Sequence, residues 1–151
     1  MEKIKNVTND KERAFYHSEY IDFDHIVIDG PADGESAFKE CSNITVSNST
    51  FNLRYPFWHN TNLVLSNSNM SDLCRAALWY DKKVSIFKVK SNGIKALREC
   101  SDIAMIDSVF NSEEIFWKTK NINIKNSEIN GAYAFLMSSD IEIYDLNFKI
   151  L

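Results

Sequence analysis

Glu40, His59 and Tyr80 are the side chains best suited to acid–base chemistry in this sequence. A carboxylate, an imidazole and a phenol set in a hydrogen-bonded line can relay a proton. They stand 19 and 21 residues apart, so they meet only if the chain returns on itself once per such interval. Immediately before Glu40, His59, Tyr80, Glu99 and Lys118 stand Lys39, Trp58, Trp79, Arg98 and Trp117, a column that holds all three tryptophans. A row of indoles and cations can stack on sugar rings, which makes Trp58, Trp79, Arg98 and Trp117 the candidate glycan-binding residues. The same row can instead stack on itself: Arg98 between Trp79 and Trp117 suits cation–π contacts of about 0.5–2 kcal/mol, and Glu99 one coil from Lys118 suits an ion pair. Self-stacking is the simpler account.

Other chemistries find less support. A glycosidase needs two carboxyl groups about 5–9.5 Å apart, whereas Glu40 and Glu99 are three intervals apart, about 14 Å at a strand spacing of about 4.8 Å. The aspartates are dispersed, which does not suit calcium-dependent lyase chemistry. No two Cys or His residues have the CxxC or HxxxH spacing of a metal site. No catalytic residue is therefore assigned beyond the candidates Glu40, His59 and Tyr80, and no metal or cofactor is expected.

The element that would align these residues is a repeat. The pattern A-F-x5-I-x-I-x-N-S-x-F reads at 37–51 and again at 56–70, 77–91, 96–110, 115–129 and 134–148, with a looser first copy at 14–28. Its anchor column is Ile21, Ile44, Leu63, Val84, Ile103, Ile122 and Ile141. Phe23, Val46, Leu65, Ile86, Met105, Ile124 and Ile143 follow two places later, and the period of two marks a strand. Six places before the anchor runs Phe15, Phe38, Phe57, Leu78, Leu97, Phe116 and Phe135; seven after it runs Ile28, Phe51, Met70, Ser91, Phe110, Ile129 and Phe148. Ser91 alone breaks the pattern, with Val89 or Ile94 as its replacement in the core. Alanines before the Phe column (Ala14, Ala37, Ala77, Ala96, Ala134) are expected to form an outward floor beside the tryptophans. Asn and Asp recur just before the anchor and four places after it, where they suit left-handed corners and coil-to-coil hydrogen bonds.

With no helical stretch between strands and no six-residue period, the expectation is an all-β chain: a right-handed, single-stranded parallel β-helix of about seven coils of 19–23 residues. It forms one domain over 1–151, with 1–11 an N-terminal segment and 12–151 the coils. Insertions are placed at 29–36, a Gly/Pro-rich loop, and near 71–74.

Composition narrows the setting. The chain has 151 residues, 44% of them hydrophobic, and a net charge of −4. It lacks a basic stripe for nucleic acid, an apolar run long enough to span a membrane and a secretory signal. Three cysteines without an export signal fit reduced thiols in the cytoplasm. Cys41 and Cys100 share one repeat position but stand three coils apart, too far to pair.

The phrases GESAFKECSNITVSNSTF, YPFWHNTNLVLSNSNM and RAALWYDKKVSI resemble a bacterial family of uncharacterised proteins, catalogued as a domain of unknown function. The resemblance covers roughly residues 12–148 and implies a pectate-lyase-like right-handed β-helix, in a shorter version, with no activity attached. The expected role is a non-catalytic scaffold or interaction protein; the alternative is a carbohydrate-binding or carbohydrate-active β-helix using the tryptophan strip. The coil at 141–151 has no polar cap in the sequence, so it is expected to be covered by a second copy in an end-to-end homodimer. A truncated form of a longer β-helix is the other reading.

Overall fold

The computed structural model describes residues 1–30 and 35–150. The centre of the expected 29–36 insertion and the last residue of the 141–151 coil lie outside the described residues. Among the described residues thirteen strands follow one another: β1 (Glu2–Asn9), β2 (Ile21–Asp29), β3 (Phe38–Lys39), β4 (Ser42–Ser47), β5 (Thr50–Asn52), β6 (Phe57–Trp58), β7 (Thr61–Met70), β8 (Leu78–Trp79), β9 (Lys82–Ser91), β10 (Ser101–Ile106), β11 (Val109–Asn111), β12 (Lys120–Asn130) and β13 (Ser139–Lys149). They pair in parallel, each with the equivalent strand one turn on, as a β-solenoid. The register is that of the repeat: Ile44 lies beside Leu63, Leu63 beside Val84, Val84 beside Ile103, and Ile103 beside Ile122.

The stack begins earlier than the repeat suggests. Segment 1–11 supplies β1, which pairs in full register with β2 (Glu2 with Ile21, Ile4 with Phe23, Ile28 with Asn9) and adds a turn ahead of the seven. Its sequence disguises it, since Glu2 stands where the other turns carry Ile, Leu or Val, and only Ile4 and Val7 pack toward the core.

The core is a set of columns. Phe38 stacks on Phe57 at 5.2 Å and 8°, and Phe116 on Phe135 at 5.1 Å and 5°. Phe51 meets Phe57 edge-on, a favoured aromatic geometry. At the irregular fourth turn, Val89 is buried and Ile94 is 41% exposed, so Val89 fills the core. Val89 and Ser91 stand beside Ser68 and Met70 of the turn before, so the buried apolar side chain shifts two places along the strand.

Four columns of left-handed residues bend each turn, and Leu97, Phe116 and Phe135 add a fifth left-handed place in the fifth to seventh repeats. Asn62 (φ 58°) and Asn67 (φ 46°) are the expected pair in the third turn; Tyr55 (φ 51°) and His59 (φ 58°) are a second pair. Both Asn/Asp columns hold through all seven repeats, down to Tyr20 and His25 in the first and Asp140 and Asp145 in the last. The corner at Ser36, Tyr55, Ala76, Lys95 and Glu114 also overturns one expectation. It breaks the strand alternation just before the Phe column, so Ala37, Ala77 and Ala96 are wholly buried core residues rather than an outward floor.

Candidate functional site

The short strands β3, β6 and β8 carry the tryptophan strip. Phe38, Phe57 and Leu78 point inward from them, and the next residues, Lys39, Trp58 and Trp79, are therefore turned out and held in register one turn apart. Arg98 and Trp117 continue the row through single bridges to Trp79 and to each other. The row is closed on itself. The Lys39 ammonium lies 4.4 Å from the Trp58 ring centre, Trp58 stacks on Trp79 at 6.0 Å, and the Arg98 guanidinium lies 5.0 Å from Trp79 and 4.5 Å from Trp117. Lys118 covers Trp117 at 4.8 Å instead of pairing with Glu99.

Because neighbours in the row sit above and below along the solenoid axis, the indole faces are taken up by other rings and cations. What the strip turns toward solvent is ring edges. Three of its hydrogen-bond donors are turned inward as well: Trp58 Nε1, Trp79 Nε1 and Arg98 Nε are buried, with no acceptor among the described residues. A sugar site needs an open ring face flanked by outward donors and acceptors. This row is arranged as a stacking ladder.

Glu40, His59 and Tyr80 occupy successive left-handed corners (φ 55°, 58° and 57°). The register brings them side by side, but their contacts differ from a proton relay. His59 lies flat against Tyr80, 4.7 Å between ring centres at 15°. Glu40 turns to the preceding turn, where its hydrogen bond and then its charge push the exposed Tyr16 phenol above the ordinary tyrosine range.

Sequence reasoning missed an interior polar column three places before the anchor: Ser18, Cys41, Asn60, Asp81, Cys100, Thr119 and Ser138. From Cys41 to Thr119 it is fully buried. Each of these corners leaves a backbone N–H with no strand partner, and the side chain one turn on accepts it. Asn60 Oδ1 accepts from Cys41 N (2.8 Å), Asp81 Oδ1 from Asn60 N (2.7 Å), Thr119 Oγ1 from Cys100 N (3.4 Å) and Ser138 Oγ from Thr119 N (3.0 Å). Small polar residue types at one fixed repeat position were the available signal. A serine column does the same at the next corner, with Ser49 accepting from Ile26 N and Ser68 from Ser49 N.

All three cysteines are free and buried. Burial pushes the Cys41 thiol up to about 11 and raises Cys74 and Cys100 too, so they stay as thiols and are poor nucleophiles. Among the described residues no group of three or more His, Cys, Asp or Glu side chains could hold a metal, and no helix is long and apolar enough to cross a membrane.

A family model described as a protein of unknown function, DUF3737, matches residues 2–150. The chain belongs to this family. Its matched region takes in β1 and extends past the 12–148 span in which the resemblance is legible. No curated protein and no solved structure matches the chain. Membership assigns no activity, and the function rests on the geometry of the solenoid.

Proposed function

We propose that this chain is a non-catalytic solenoid scaffold whose working surface is its C-terminal turn. The observation that carries this reading is the change in the inward columns at β13. Ile122, Ile124 and Ile129 are 0%, 1% and 0% exposed, while their equivalents one turn on, Ile141, Ile143 and Phe148, are 37%, 44% and 40% exposed. That face combines core-type side chains with a strand edge beyond β12, and such an edge is a template for another chain. The opposite end is built differently: Glu2, Lys3 and Lys5 on β1 make a polar terminus. The C-terminal face therefore fits a second copy of itself, apolar against apolar, in an end-to-end homodimer.

Sedimentation or light scattering across a concentration range tests this. A dimer that Ile143→Lys returns to monomer, with the circular dichroism spectrum retained, is the expected result. A monomer at all concentrations overturns it.

The free, inert thiols suit a reducing compartment, and on that ground we place the protein in the cytoplasm. On this reading the pectate-lyase-like coil serves as architecture, with the tryptophan strip as its spine rather than as a glycan site.

A further inference from the structure

Asp81 departs from the other members of the interior polar column between Cys41 and Ser138. Those side chains do two jobs. They accept the backbone N–H of the preceding turn, and they donate to the carbonyl of its Phe-column residue. Cys41 Sγ donates to the Phe15 carbonyl (3.2 Å), Asn60 Nδ2 to Phe38 (3.0 Å), Cys100 Sγ to Leu78 (3.3 Å), Thr119 Oγ1 to Leu97 (3.3 Å) and Ser138 Oγ to Phe116. Asp81 does the first job through Oδ1. An ionised carboxylate cannot do the second, because it has no proton to give. Its other oxygen, Oδ2, is buried without a partner, and the residue is 1% exposed. The repeat register puts the Phe57 carbonyl in the place that Phe38 holds for Asn60.

We propose that Asp81 carries a resident proton at neutral pH, as a neutral carboxylic acid that donates from Oδ2 to the Phe57 carbonyl, and that this turn of the solenoid is thereby the one that loosens as pH rises. The ladder needs a donor there and the surroundings offer no counter-charge. The titratable groups facing Asp81 along the column are the thiols of Cys41 and Cys100. Lys82 and Lys83 follow it in the chain and are exposed, and none of the ion pairs among the described residues includes it. Burial pushes its carboxyl well above the usual carboxylate range, and only the Asn60 hydrogen bonds oppose this.

The sign of the pH effect follows from linkage. The folded chain holds a proton that the unfolded chain releases near the ordinary aspartate value. The stabilisation is therefore complete below that value and falls as pH rises toward the raised folded value. Across that window the unfolding constant grows about tenfold per pH unit for this one proton.

Asp81→Asn is the decisive variant, since an amide repeats what Asn60 does one turn earlier. Denaturant unfolding of the wild type and Asp81→Asn between pH 4 and 9 is expected to show the wild type losing stability relative to the variant as pH rises. Parallel pH profiles would overturn the proposal. A direct reading keeps it open to refutation if the variant does not fold: the ¹³Cγ resonance of Asp81 in the wild-type protein should sit at the protonated position at neutral pH. A titration in the ordinary carboxylate range would overturn it.

Discussion

A corner residue in this solenoid answers two demands, a left-handed backbone and a hydrogen bond to the next turn. Asn121 (φ 60°) donates from Nδ2 to Asp102 Oδ1 at 2.8 Å, Asn126 to Asp107 at 2.7 Å and Asn62 to Asn43 at 2.7 Å. Left-handed backbone costs a residue with a Cβ roughly 1–2 kcal/mol, with Asn and Asp the most tolerant after glycine. Asn121→Gly should thus lose mainly the hydrogen bond, about 1 kcal/mol. Asn121→Val should lose both, on the order of 2–3 kcal/mol. Urea midpoints of the two variants check the order, and a valine variant as stable as the glycine one would contradict it. These two corner columns were legible because the demand selects a residue type. The corners at Tyr55, Ala76 and Lys95, and at His59, Tyr80 and Glu99, were not. Their residues share a conformation and no chemistry, and only the fixed repeat position gives them away. The same reasoning explains Asp81, whose type looks like a surface aspartate and whose position makes it interior.

At the scale of the element, the ladder from Lys39 to Lys118 behaves as a spine along one side of the stack. Its members were all legible in the sequence, because a strict period aligns them and aromatic residues are conspicuous. The arrangement of their faces was not, since that depends on the stacking direction of the turns. Arg98 is the central link, with a ring on each side. Arg98→Ala should lower stability by about 1–3 kcal/mol, from two cation–π contacts and lost packing of its stem. Lys39→Ala, at the end of the row over one ring, should cost about 0.5–1 kcal/mol. Equal effects in chemical denaturation would show that the row is a set of separate surface contacts. The β1 turn illustrates the opposite limit. Its backbone register is as regular as any other, yet with a charged residue at the anchor place it carries almost no hydrophobic pattern.

For the molecule as a whole, contacts run only between successive turns, and stability is expected to be graded along the axis. The middle turns, β7, β9 and β10, have a covered face on both sides, whereas β1 is itself a mostly polar, exposed strand and β13 has its apolar column uncovered. Hydrogen exchange should therefore be slowest in β9 and β10 and fastest in β1 and β13. Dimer formation through the C-terminal turn should slow β13 selectively and leave β1 unchanged. Uniform protection along the chain would mean that the stack opens only as one cooperative unit.

The constant step from turn to turn has a consequence for how the chain reaches this form. Paired residues are mostly 19 to 23 positions apart wherever they sit in the stack. Set against 151 residues, that separation gives a relative contact order of about 0.13–0.15, in the range of mixed α/β domains that fold faster than β-sandwiches. Closing the seventh turn therefore demands no larger loop than closing the second. A chain emerging from the ribosome can lay down each turn on the last as soon as roughly 20 further residues are free, and need never wait for its far end.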